Sequence, residues 1–72
     1  MKYYYPLTVT QLGVLVHLVI RGHAMTPRDT ERETGHQCNV RTYKTLMDRG
    51  FIRWTDQGVI ATDDGALRVK EI

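Results

Sequence analysis

The second half of the chain constrains its fold most. There Leu46-Met47-Asp48-Arg49-Gly50-Phe51-Ile52 is followed by Asp56-Gln57-Gly58 and then by Ala61-Thr62-Asp63-Asp64-Gly65. A glycine just past an apolar, helix-periodic run is a common helix stop, so a helix is expected to end at Gly50. Phe51 to Thr55 and Val59 to Ala61 have strand composition, and the polar loop between them turns the chain back on itself as a hairpin. Thr62 is a good cap for one more helix, over 63–70. Its first turn holds Asp63 and Asp64, where the helix dipole favours negative charge.

The same punctuation organises the first half. Thr8 with Gln11 three residues later forms a capping box, and Gly22 marks the stop, which predicts a first helix over 9–21. Thr26-Pro27 opens a shorter helix over 27–34 that ends at Gly35, with proline where no amide partner is needed. That helix carries no large apolar side chain, so Thr30 and Thr34 must form its inner face, with Met25 in support. Asn39 caps a third helix over 40–49, in which Val40, Tyr43, Leu46 and Met47 share one face. Arg41 and Thr45 point the opposite way, flanked by Thr42, Lys44, Asp48 and Arg49. Residues 1–7, with three successive tyrosines and Pro6, are expected to form an extended arm. The whole reads as one domain over 1–72, mainly α with a small β-hairpin, with Ala66, Leu67 and Val69 of the final helix closing the core.

The first helix is apolar on two sides. Leu12, Leu15, Val16 and Val19 form one stripe at about 100° per residue, and Val14 and Leu18 form another. The second stripe is to be covered either by the chain's own terminal segments or by a homodimer interface made of Val14, Leu18, Tyr3, Tyr4 and Tyr5.

At 72 residues the chain is near the lower size limit for a single hydrophobic core. Its single cysteine, Cys38, excludes an internal disulfide and fits a reducing compartment as a partly buried structural thiol. The apolar run from Leu12 to Ile20 is too short to span a membrane, carries His17 and precedes no small-residue cleavage pattern. A cytoplasmic protein is therefore expected. A metal site built from His36, Cys38 and His23 or His17 lacks a second Cys or His pair at zinc spacing. With no serine, no phosphate-binding glycine loop and no helical His-Glu pair, neither an enzyme nor a cofactor is expected. The net charge of +2 decides little, so the placement of charge must carry any case for nucleic acid. From His36 to Thr55 the basic residues Arg41, Lys44, Arg49 and Arg53 face only Asp48.

The order of elements resembles the winged helix-turn-helix DNA-binding domain. Leu46-x-x-x-Gly50-Phe51-Ile52 looks like the end of a recognition helix passing into the wing. Ala61-Thr62-x-x-Gly65 is similar to the segment after the wing in regulators of the multiple-antibiotic-resistance and PadR kinds. Met25-Thr26-Pro27 and Thr34-Gly35 sit where such domains open and close their second helix, although the long dimerisation helices of those regulators are missing. The resemblance implies three helices, a two-stranded wing and a short C-terminal helix, with the third helix in the major groove of double-stranded DNA. By position, Asn39, Arg41, Thr42 and Thr45 would meet base edges: arginine suits guanine, asparagine adenine, and threonine a polar edge or the thymine methyl. Lys44, Arg49 and Arg53 would hold phosphates. Asp56 and Gln57 at the wing tip would repel phosphate, so either the wing packs on protein or the third helix holds DNA alone. The function implied is a sequence-specific, non-catalytic transcriptional regulator of prokaryotic or phage style. The competing reading is a winged-helix protein–protein interaction module, or an accessory factor of a nucleoprotein complex.

Overall fold

The computed structural model describes residues 6–37 and 39–71. Its elements run α1 (Val9–Arg21), α2 (Pro27–Thr34), α3 (Val40–Asp48), β1 (Ile52–Thr55), β2 (Gly58–Ala61) and α4 (Asp63–Lys70). The protein is thus mainly helical with one antiparallel hairpin.

Local chemistry sets each boundary. The Thr8 amide donates to Gln11 Oε1 at 3.0 Å while the Gln11 amide donates to Thr8 Oγ1 at 3.1 Å, which satisfies two amides that the first turn of α1 leaves without helical partners. Thr26 Oγ1 accepts from the Asp29 amide, and Asn39 Oδ1 from the Arg41 amide, at the starts of α2 and α3. In the hairpin Ile52 pairs with Ala61 and Thr55 with Gly58, leaving Asp56 and Gln57 as the two turn residues.

Two long-range ties join these pieces. Met25 forms an isolated bridge with Val59, its amide donating at 2.9 Å and its carbonyl accepting at 2.7 Å, so β2 has on its free edge the residue that precedes the Thr26 cap of α2. Thr62 caps α4 with its hydroxyl oxygen while donating the hydroxyl proton to the Gly50 carbonyl, and its amide donates to the Phe51 carbonyl at 2.9 Å. The end of α3 and the start of α4 are thereby pinned together. Gly65 is required at this point, because a Cβ there would lie 2.2 Å from the Phe51 carbonyl oxygen.

The core consists of Val14, Leu15, Leu18, Met25, Tyr43, Leu46, Ile52 and Val59. Thr30 is fully buried, and its hydroxyl donates to the Thr26 carbonyl at 3.0 Å. A small polar side chain can therefore serve as the inner face of α2. The packing corrects the expected face of α1. Val14 and Leu18 are buried in the chain's own core, so neither is available to a dimer, and Leu12 and Val16 lie half-buried on the opposite side. The reason is that α1 is gripped by α2, α3, α4 and β2 together, which centres its inner face on Leu18. Tyr3, Tyr4 and Tyr5, the other part of the expected dimer surface, lie outside the described residues. Leu67, expected in the core, is exposed, and Val69 is the residue of α4 that packs against the core. No described helix is long and apolar enough to cross a membrane.

Candidate nucleic-acid interface

The third helix turns Leu46, Tyr43 and Thr42 inward and leaves Val40, Arg41, Lys44 and Asp48 exposed. At about 100° per residue those four occupy one outward arc, with Thr45 half-buried at its edge. Arg41 and Lys44 thus stand together on the first two turns, and Asp48 closes the arc at the helix end.

Asn39 is exposed, but its Oδ1 accepts from the Arg41 amide at 2.9 Å. A bidentate contact to adenine needs both the amide oxygen and the NH2. The oxygen's role in the cap leaves the NH2 as the part of Asn39 free to meet a base. Thr42 has to be withdrawn from the base-contact set, because it is buried at 6% exposure on the inner side of α3. Arg49 ends α3 half-buried and lines a cleft with Phe51, Asp64, Leu67, Arg68 and Glu71, on the α4 side of the molecule. It is thereby separated from the arc of Arg41 and Lys44. Arg53 is exposed on β1, on the strand face opposite Ile52 and Trp54.

Two further side chains are exposed that periodicity alone does not place at the surface. Val40, expected in the core, is 81% exposed at the first position of α3. With Pro27, Tyr43, Lys44, Met47 and Trp54 it lines an almost wholly apolar slot of about 410 Å³ between the start of α2, α3 and β1. Arg28, next to Pro27 in the first turn of α2, is exposed and is a further cation on that helix. Its sequence signal is the composition of α2, since a helix without large apolar residues exposes most of what it carries.

The best-connected charged group lies away from α3. Glu33 Oε1 accepts from Arg21 Nη2 at 2.6 Å and Nε at 2.8 Å, and His17 Nε2 approaches it at 2.9 Å. The Arg21 guanidinium, followed by the His17 contact, holds the Glu33 carboxyl below its ordinary range. This cluster ties α1 to α2. Among the described residues no group of three or more His, Cys, Asp or Glu side chains converges as a metal cage, and Cys38 lies outside them. No protein family, curated protein or solved structure matches the chain.

Proposed function

We propose that the chain is a winged helix-turn-helix protein that binds duplex DNA by laying α3 in the major groove, and that it acts as a non-catalytic, cytoplasmic regulator. The observation that carries this reading is the two-sidedness of α3. Tyr43 and Leu46 fix it to the core, while Arg41 and Lys44 stand exposed side by side on its outward arc. An arginine so held can read guanine O6 and N7, whereas a lysine beside it suits phosphate. Arg28, exposed in the first turn of α2, is a further cation, whereas Arg53 stands on the hairpin face opposite Trp54. The hairpin tip, Asp56-Gln57, does not contribute to it.

Fluorescence anisotropy with labelled duplexes tests the proposal. Binding is expected to be tight at about 50 mM salt and to weaken steeply as salt rises. Lys44→Ala should weaken all sequences alike and flatten the salt slope by about one unit, whereas Arg41→Ala should relax sequence choice. No duplex binding at about 50 mM salt would overturn it.

The apolar slot favours a second reading, that of a protein-interaction module, because exposed Val40 and Trp54 around an apolar recess suit an apolar side chain of another protein. Under that reading Trp54→Ala and Asp56→Ala abolish activity in the cell while Arg41→Ala leaves it intact.

A further inference from the structure

The outward arc of α3 begins at an apolar side chain. Val40 is 81% exposed at the first position of the helix. At about 100° per residue it stands about 40° from Lys44 and about 100° from Arg41, while Tyr43 and Met47 lie on its other flank. Val40 is therefore the boundary between the apolar slot and the exposed cations. Neither Arg41 nor Lys44 makes an ion pair among the described residues. Exposed Leu67 and Ile20 have different surroundings: Leu67 shares its cleft with Asp64 and Glu71 as well as with Arg49 and Arg68, and Ile20 precedes Arg21, whose charge Glu33 already takes up.

We infer that Val40 is a specificity-determining residue that meets the 5-methyl group of a thymine in the major groove. The inference rests on the proposed seating of α3 in duplex DNA. That methyl group is the apolar mark by which a major-groove edge identifies thymine, and an apolar side chain is what reads it. Valine suits the task, because a β-branched side chain in a helix keeps to one strongly preferred rotamer and presents its methyl groups at little cost in ordering. Its place at the start of α3 is the part of a recognition helix that reaches base edges. The free NH2 of Asn39 stands before it and the Arg41 guanidinium after it, so Val40 lies between hydrogen-bond donors. Purine acceptors on either side of a thymine methyl are the complement of that pattern.

Lys44 decides between DNA and a protein as the partner at this point. It lines the slot together with Val40. An apolar side chain of another protein entering beside Val40 would strip water from an ammonium that no described residue pairs, which is unfavourable. A nucleotide brings a phosphate along with its methyl group, so that Lys44 and Val40 are met together.

Fluorescence anisotropy with one duplex in two forms tests the inference. The duplex is the sequence that the full chain selects from a randomised pool, made with thymine or with deoxyuridine throughout; the second form lacks every 5-methyl group and keeps every hydrogen-bonding group. Deoxyuridine is expected to weaken wild-type binding by about four-fold for each methyl group contacted, and single thymine-to-uracil changes should trace the loss to one position per bound α3. Val40→Ala, checked for unchanged helicity by circular dichroism, should bind the thymine duplex more weakly than wild type does and lose most of the difference between the two forms. A wild type that binds both forms equally, or a selected site without thymine, overturns the inference and leaves the docking of α3 standing. A Val40→Ala protein that keeps the wild-type difference also overturns it, and loss of that variant's activity in the cell would then assign Val40 to a protein partner. Absence of binding to either form at about 50 mM salt removes the DNA reading and the inference with it.

Discussion

Gly65→Ala sets two physical effects against each other. Helix propensity alone makes the change favourable: Gly65 lies in α4, and alanine is better there by about 0.5–1 kcal/mol. The packing predicts the reverse. The new Cβ would meet the Phe51 carbonyl oxygen at 2.2 Å, its carbonyl carbon at 3.0 Å and Leu15 Cδ1 at 3.2 Å. The first two of these are backbone atoms, held by the Thr62 amide at 2.9 Å and by the pairing of Ile52 with Ala61, so no side-chain rotation relieves the clash. Relief requires α4 to move away from the strand by about 1 Å, which stretches the Thr62 bond to Phe51 and opens contacts to Leu15. Overpacking of this kind costs about 1–3 kcal/mol and a weakened hydrogen bond about 1 more. After the propensity gain the net loss is about 2 kcal/mol. In a domain this small that lowers Tm by about 10 °C or more. Thermal and urea denaturation followed by far-UV circular dichroism measure it, with exposed Ala66→Gly as a control expected to cost no more than about 1 kcal/mol. A Gly65→Ala protein as stable as wild type, or more stable, would refute the close-approach argument.

Leu18→Ala empties a position with no exposed surface and should cost about 2–5 kcal/mol in urea unfolding, whereas Val9→Ala, on the opposite side of α1, should stay within about 0.5 kcal/mol. Thr30→Val keeps the shape of a fully buried side chain and loses only the hydroxyl bond to Thr26, whose carbonyl still accepts the Thr30 amide at 3.0 Å; the expected change is below about 1 kcal/mol by the same assay. Glu33 has its carboxyl held below the ordinary range by Arg21 and then His17, so its contribution is present above the unfolded-state pKa and lost as pH falls through the folded one. The stability gap between wild type and Glu33→Gln should therefore close as the solution is acidified below the ordinary glutamate range, and a gap that widens there would contradict the pairing.

The elements are legible in the sequence because their ends are written in local chemistry. Thr8, Thr26, Asn39 and Thr62 cap helices through their own side chains, and those bonds form wherever the rest of the chain goes. The inner faces are less legible, because periodicity gives the angle between residues but not which angle meets the core. For α1, apolar on two sides, the choice depends on four neighbours distant in sequence, and it falls on Val14 and Leu18 rather than on Leu12 and Val16. Val40 occupies the first position of α3 and overhangs the core, although it shares the helical phase of Met47. Thr42 shows the opposite error: its hydroxyl suggests solvent, yet its small branched body is buried on the inner side of the helix. Of the surface expected to meet DNA, Arg41 and Lys44 stand together, whereas Arg49 lies toward α4 and Arg53 on the strand face away from Trp54.

The bridge between Met25 and Val59 has a consequence for how the domain comes apart. The hairpin can close by itself, since its two strands are neighbours in the chain. The outer edge of β2 acquires a partner only when a residue from before α2 has been brought back to it. That contact covers an edge which would otherwise be open to strands from other molecules, and it makes the two halves of the sequence interdependent. Fraying at either terminus can leave it untouched, but opening it requires α2 and the hairpin to separate. The amides of Met25 and Val59 should therefore exchange with solvent only in the rare global openings, reporting on the whole domain rather than on the segments that carry them.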